Sequence, residues 1–598
     1  MNWIARLAFA GLIGTASAKS KHKPTDFDWD TITPTHQLEY HPCYDEYNCT
    51  RLIVPLDWLD EGNPHTVALA IIKLAAKVPD SDPAFGGTIF ANPGGPGGSG
   101  IQLMLSEGHI FQDTADTDRK KYEILSWDPR GVQFTSPKAE CFEDQLARGT
   151  DKVQRLAIGP LDASPDALRR QWARIHGYGK LCSQGAVNGS IIPFATTAST
   201  VRDMVAILDK IKELRDDEAI ARVDGGGGGV QKPMQFRDEE PLRMLYWGFS
   251  YGSFLGNTFA SMFPGRVGRI IVDGIVDADD YVAGGWKTNL QDTEKLIEYF
   301  YKTCFTSGSK CALHRSEDKK WEDIRSRVLA LAKRLDNDPY STVKGKVIST
   351  LTGYDVIDAF KQPMYHPFTK FLTLAERLNS AIEGNYTGLL ENATEDIPPL
   401  DGVCLAPNAT LPVPSTTGDG GQAILCGDAE DATNMTMADY RAYVSELVEQ
   451  SPTFAGYWSQ IRFACTGWDV RPKWRYTGPF STPEHDPAVV EGKPAAPLLF
   501  MSSRLDPVTP LRNAYKMSAR HPGSTVVVQE SVGHCAAETG SKCSKEIIQK
   551  YLEHGIVPED GTVCEPDCDP WDGDDCLPST KGIRVAGLGP SPEMLISW

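Results

Sequence analysis

Two apolar runs of strand length, Leu52-Ile-Val-Pro-Leu56 and Thr66-Val-Ala-Leu-Ala-Ile-Ile-Lys-Leu74, flank the turn signal Asp60-Glu-Gly-Asn-Pro64 and predict an opening hairpin. The same short, nearly continuous hydrophobic run recurs at Gly87-Thr-Ile-Phe-Ala91, Tyr122-Glu-Ile-Leu-Ser-Trp127, Arg269-Ile-Ile-Val-Asp273, Ala496-Pro-Leu-Leu-Phe-Met-Ser-Ser503 and Ser524-Thr-Val-Val-Val-Gln529. From Thr197 to Arg215 the period changes: Val201, Met204, Val205, Leu208 and Ile211 fall three and four apart, the spacing of a helix with one apolar face. Strands alternating with helices at these intervals predict a mostly parallel sheet with crossover helices, an α/β fold. Between 278 and 487 the pattern turns helical and irregular, so this stretch is expected as an inserted cap that splits the core into 40–277 and 488–555. The segment Asp216 to Glu240, with its glycine run, reads as a surface loop, and 556–598, with Cys564, Cys568 and Cys576 among Asp and Pro, as a disulfide-bonded tail.

Several of the strands run into residues with chemical potential. Leu245-Tyr-Trp-Gly-Phe-Ser250-Tyr-Gly-Ser is an apolar run ending in Gly248-Phe-Ser250-Tyr-Gly252. A serine in so tight a strand-to-helix turn has strained backbone angles and presents its hydroxyl above the sheet, with glycines two residues away on either side removing the collisions. The strand ending at Ala91 leads into Asn92-Pro-Gly-Gly95-Pro-Gly-Gly-Ser-Gly100. No Gly-Lys-Ser/Thr follows, which argues against a phosphate loop and for backbone N–H groups that hold an oxyanion beside the serine. The expected donors are the N–H of Tyr251 and that of Gly95.

A serine hydroxyl needs a base, and the base needs an acid to orient it. Asp506, in Arg504-Leu-Asp-Pro, and His534, in Glu530-Ser-Val-Gly-His534, follow the last two strands in the order Ser, Asp, His. Asp273 also ends a strand downstream of the serine and is the rival acid. Asp128 and Arg130, at the end of another strand, are read as charges that tie down a loop.

The charge balance changes the picture only by exclusion: a formal net charge of −19 argues against nucleic acid or an anionic membrane as partner. Residues 1–18 have the form of a secretory signal, with Arg6, an apolar Leu7 to Ile13 core and Ala16-Ser-Ala18 before the cut, and no later run reaches the roughly 18 apolar residues of a membrane span. The 14 cysteines suit an oxidising compartment, and local pairs suggest the disulfides Cys43–Cys49, Cys304–Cys311 and Cys535–Cys543. None has zinc-ligand spacing, so neither metal nor cofactor is expected. Sequons at Asn48, Asn188, Asn385, Asn392, Asn408 and Asn434 fit a secreted glycoprotein.

Val54-Pro-Leu-Asp57, the glycine loop 92–100, Trp127-Asp-Pro-Arg-Gly131, Gly248-Phe-Ser-Tyr-Gly252, Val272-Asp-Gly274 and the Asp506 and His534 regions together resemble the secreted tripeptidyl aminopeptidase-like hydrolases, relatives of the proline iminopeptidases. The resemblance runs from about Tyr40 to Cys543. It implies an α/β-hydrolase fold with a cap and cleavage of peptides from a free N-terminus. An aminopeptidase must hold a protonated α-amine, and Asp469, walled by Trp468 in Ala464-Cys-Thr-Gly-Trp-Asp469, is the expected partner in the insertion. The same machinery serves esters as well as peptides, and a hydrolase fold can also serve binding alone, so an esterase and a non-catalytic binding protein stand as the alternatives.

Overall fold

A computed structural model of the protein describes residues 27–159, 161, 164–186, 189–224, 241–344, 347–390 and 418–573. The signal segment, the glycine run and most of the C-terminal tail lie outside the described residues.

The hairpin expected at the start is present as β2 (Tyr47–Pro55) and β3 (Thr66–Leu74), paired antiparallel from Asn48↔Lys73 to Pro55↔Thr66, with β1 (His41–Cys43) on its outer edge. There follow β4 (Phe85–Asn92), β5 (Lys121–Trp127), β6 (Met244–Phe249) and β7 (Val267–Asp273), then the hairpin β8 (Tyr340–Lys344) and β9 (Val347–Leu351). β10 (Leu499–Leu505), β11 (Thr525–Val532) and β12 (Thr562–Cys564) complete the strands. Ten of them make one sheet in the order β1-β2-β3-β5-β4-β6-β7-β10-β11-β12, parallel from β5 to β12.

Burial on both faces explains why these strands read as continuous apolar runs rather than as alternations. Along β3, Leu69 and Ile71 join the core on one face, while Ala70 and Ile72 join the core on the other. The first core takes Val201, Met204 and Leu208 of the helix Thr197–Asp224 and Phe254 and Leu255 of the helix Tyr251–Met262. The second takes Ile101, Met104 and Phe111 of the helix Gly100–Ala115 and Ile548, Tyr551 and Leu552 of the helix Lys542–His554. This is the α/β-hydrolase fold.

β10 pairs with β7, so everything between them leaves the sheet and comes back. That excursion holds the helices Thr293–Ser307, Trp321–Asn337, Pro367–Ile382, Gly420–Asp428, Met437–Gln450 and Ala455–Thr466. It also holds the β8–β9 hairpin, which the irregular pattern of 278–487 did not suggest. Its Phe300, Phe371 and Trp458 belong to the same apolar cluster as Phe254 and Leu255, so it is packed onto the sheet's helices rather than tethered beside them.

Cys43 is bonded to Cys49 and Cys304 to Cys311, as their spacing suggested, and Cys141–Cys182 and Cys426–Cys465 are further bridges. The expected Cys535–Cys543 bond is corrected: Cys543 is bonded to Cys564, and Cys535 is a buried free thiol. Cys543 opens the helix Lys542–His554 beside β12, whereas the Cys535 sulfur lies over the end of β7, 3.5 Å from the Asp273 carbonyl. Asn385 and Asn434 are exposed and Asn48 is half-buried, while Asn188, Asn392 and Asn408 lie outside the described residues.

Candidate active site

β6 ends at Phe249 and a helix starts at Tyr251, so Ser250 makes the whole turn. It does so at φ 54° and ψ −122°, a conformation that costs an L side chain of order 1–3 kcal/mol and persists only where its surroundings enforce it. The glycines on either side are part of that enforcement. A Cβ on Gly252 would stand 2.8 Å from the Asn92 carbonyl and one on Gly248 2.5 Å from the Gly252 carbonyl, so the chain closes this tightly only without side chains there. The Ser250 N–H donates to the Asp273 carbonyl at 2.9 Å, tying the elbow to the end of β7.

The glycine loop follows β4 and presses on this elbow. A Cβ on Gly94 would collide with the Phe249 carbonyl and come 3.0 Å from Ser250 Cβ and 3.1 Å from the Tyr251 nitrogen. Gly94 and Gly95 stand at φ 98° and 113°, values open to glycine, and Gly98 N–H closes the loop on the Gly94 carbonyl at 3.1 Å. Tyr251 and Gly95, the expected oxyanion donors, thus lie in two segments that touch. The loop's other side meets the insertion: a Cβ on Gly97 would stand 3.0 Å from the Gly421 nitrogen, near the start of the helix Gly420–Asp428.

Asp506 and His534 are brought together past the ends of β10 and β11, both wholly buried. His534 Nδ1 lies 3.0 Å from each Asp506 oxygen. Asp506 Oδ1 also accepts the Val508 and Thr509 N–H at 2.9 and 2.7 Å, and Oδ2 the Cys535 N–H at 2.8 Å. Burial pushes the Asp506 carboxyl up, but the His534 charge, its hydrogen bond and these amides outweigh it and hold the group below its ordinary value. A carboxylate on Nδ1 leaves the lone pair on Nε2, which is buried and meets no hydrogen-bond partner among the described residues. That is the arrangement of a general base.

Asp273, the rival acid, hydrogen-bonds no imidazole among the described residues. Its carboxylate accepts the Ala536 and Ala537 N–H at 2.6 and 2.9 Å, just past His534. Burial pushes it up to about 7 against those two amides, with the Asp506 charge adding to the rise. Ser250 and the His534 loop therefore meet at this residue, one on its carbonyl and the other on its side chain.

The charged residues after β5 hold loops. Asp128 accepts the Ser99 hydroxyl at 2.6 Å and the Ile101 and Phe134 N–H at 3.2 and 3.0 Å, while the fully buried Arg130 pairs with Asp203 at 2.8 Å. Asp469, the expected amine partner, is exposed, where water screens a charge, and Trp468 is a core side chain packed against Tyr178 at 6.0 Å between ring centres.

Two neighbours of the base escaped the sequence reading. The Thr509 hydroxyl stands 3.2 Å from His534 Nδ1, and Tyr365, from the insertion, accepts the His534 backbone N–H at 3.0 Å and sets its ring edge-on to the imidazole at 5.1 Å. The spacing Asp506-Pro-Val-Thr509, in which an aspartate accepts the amides two and three residues on, is a local signal that could have found Thr509. Tyr365 has none, because its approach depends on how the insertion folds back.

Asp506, His534 and Cys535 have donor atoms within 4.8 Å of one another, a spacing a metal would accept. However, His534 Nδ1 is taken by Asp506, and burial drives the Cys535 thiol well up, away from the thiolate a metal needs.

Fold and site together make this chain a serine hydrolase of the α/β-hydrolase class. The family model described as TAP-like protein matches residues 451–564, the part that carries Asp506 and His534. A tripeptidyl aminopeptidase of Streptomyces coelicolor is 22% identical over 564 residues, covering 93% of this chain and 89% of the relative. The serine protease Hip1 of Mycobacterium tuberculosis is 24% identical and covers 86% of this chain and 87% of its own. A carboxylesterase B of the same species is also 24% identical, over 87% of this chain and 86% of the relative. The chain resembles the tripeptidyl aminopeptidase-like hydrolases along nearly its whole length.

Proposed function

We propose that the protein is a secreted serine exopeptidase that releases residues from the free N-terminus of peptides through an acyl-enzyme on Ser250. Ser250 Oγ attacks the scissile carbonyl while His534 Nε2 takes its proton. Asp506 holds the Nδ1 proton and balances the imidazolium charge. The Tyr251 and Gly95 N–H groups donate to the oxyanion, each worth about 3 kcal/mol of transition-state stabilisation. His534 then passes its proton to the leaving amine, and water enters by the same route in reverse to free the acyl group. The observation that carries this reading is the buried, unengaged Nε2 of His534, held in its tautomer by Asp506 and joined through Asp273 to a strained serine. The aminopeptidase relatives support the restriction to chain ends, as does the insertion, which reaches the His534 loop at Tyr365 and the glycine loop at Gly421.

The test uses purified protein, a fluorophosphonate probe and paired peptides. The probe is expected to label the parent and not Ser250→Ala, and unblocked short peptides are expected to be cut while N-acetylated ones are not. Equal cleavage of both would discard the exopeptidase reading. The carboxylesterase relative favours a second reading, an esterase on the same residues, and a higher kcat/KM for a short-chain ester than for any free peptide would establish it. Secretion rests on residues 1–18, the bridges and the exposed sequons Asn385 and Asn434, and a mass shift on glycosidase treatment of protein exported by a eukaryotic host tests it.

A further inference from the structure

Asp273 is used twice, by two different parts of the site. Its main-chain carbonyl accepts the Ser250 N–H at 2.9 Å, and its carboxylate accepts the Ala536 and Ala537 N–H at 2.6 and 2.9 Å. These alanines open the short 3-10 turn Ala536–Glu538, two residues beyond His534. N–H groups at the start of such a turn have no partner within it, so an outside acceptor decides where the turn sits. Ser250 rides on β6 and His534 on the loop after β11, and the sheet interposes β7 and β10 between those strands. Asp273 bridges that gap with three hydrogen bonds, all of them buried.

We infer that Asp273 is a positioning residue, which fixes the Ser250 turn and the His534 loop relative to one another without touching substrate. The inference rests on the assignment of Ser250, Asp506 and His534 above. A carboxylate suits the place because it accepts at both oxygens. Asn has almost the same shape but turns an NH₂ toward one of the two alanine amides, donor against donor. The carboxamide would then hold one end of the turn and repel the other, and a misplacement of about 1 Å between reacting groups is enough to cost on the order of 10²-fold in rate.

A residue that only stabilised the fold would lower the amount of active protein and leave the turnover of each folded molecule alone. The experiment therefore measures kcat and KM on a free short peptide, per fluorophosphonate-titratable site, for Asp273→Asn, Ala536→Pro and the double variant. Ala536→Pro removes one donor from the other side of the contact. It stands at the first position of the turn, where proline is tolerated; Cys535 before it is at φ 72°, outside the range a residue preceding proline prefers, so rates are read only per titratable site. Expected are a roughly 100-fold fall in kcat for Asp273→Asn and about 10-fold for Ala536→Pro, each with KM within about twofold of the parent. The double variant is expected within about twofold of Asp273→Asn alone, because both changes break one contact. Parent-like kcat in Ala536→Pro overturns the inference even where Asp273→Asn fails to fold, and so do effects that simply multiply. Ser250→Ala and His534→Ala, run alongside, separate the two levels: if either keeps activity, the assignment of the triad fails, and if both lose it while the Asp273 and Ala536 variants do not, the positioning role alone fails.

Discussion

β7 and β10 are parallel neighbours, and each delivers a wholly buried aspartate at or just past its end, yet the two carboxylates do opposite things. Asp506 meets an imidazole and three amides, and its pKa is held below the ordinary value. Asp273 meets two amides and no cation at hydrogen-bond distance, and burial drives it up to about 7. Desolvation is the largest influence on both. What differs is whether a group that can carry positive charge stands in contact, and that decides which acid can orient a base and which can only fasten a chain.

The largest test of this contrast is Asp506→Asn, expected to lower kcat by up to about 10⁴ because the imidazole then settles in the wrong tautomer. Steady-state kinetics on a free peptide compare it with Asp273→Asn. If Asp273→Asn is the more damaging of the two, the roles of the strand ends are exchanged.

The two ends also differ in how they respond to pH, and the contrast extends to other buried acids. For Asp273 at about 7, Glu107 at about 8, and Asp128 and Asp428 at about 6, burial raises the folded-state value above the unfolded one. The folded state therefore binds protons more tightly, so these groups stabilise it in acid, and each loses up to about 1.4 kcal/mol per pH unit as pH rises toward its folded value. Asp506 and Asp279 are held low instead and contribute stability that is present above the ordinary carboxylate range and lost only below it. Thermal melts are expected to show Tm falling between pH 5 and pH 8. A Tm that rises over that interval would mean these four acids are ionised in the fold without penalty.

The smallest effect is expected between the two ends. Cys535 donates its N–H to Asp506 and lays its sulfur 3.5 Å from the Asp273 carbonyl, but a neutral thiol is a weak donor. Cys535→Ala should keep kcat within about threefold of the parent. A loss as large as that of Asp273→Asn would show that the sulfur, and not the carboxylate, joins the two halves of the site.

The chain by itself determined what is local. The opening hairpin, β4 to β7 and β10 to β11 were legible because apolar runs bounded by Gly, Pro and Asp are set by near neighbours, and so was the Gly-x-Ser-x-Gly turn, whose tightness is a matter of five residues. The placement of Asp506 and His534 just past strand ends was legible for the same reason. Only the tertiary structure decided the contacts between segments far apart in the chain. Cys543 pairs with Cys564 and not with the nearer Cys535 because a helix start faces β12 while a loop faces β7. Asp469 stands at the surface, where spacing in the insertion could not tell roof from solvent. Asp273 and Asp506 look alike as aspartates at strand ends, and what separates them is which donors the return of β10 and β11 brings within about 3 Å, a distance that local patterning does not control.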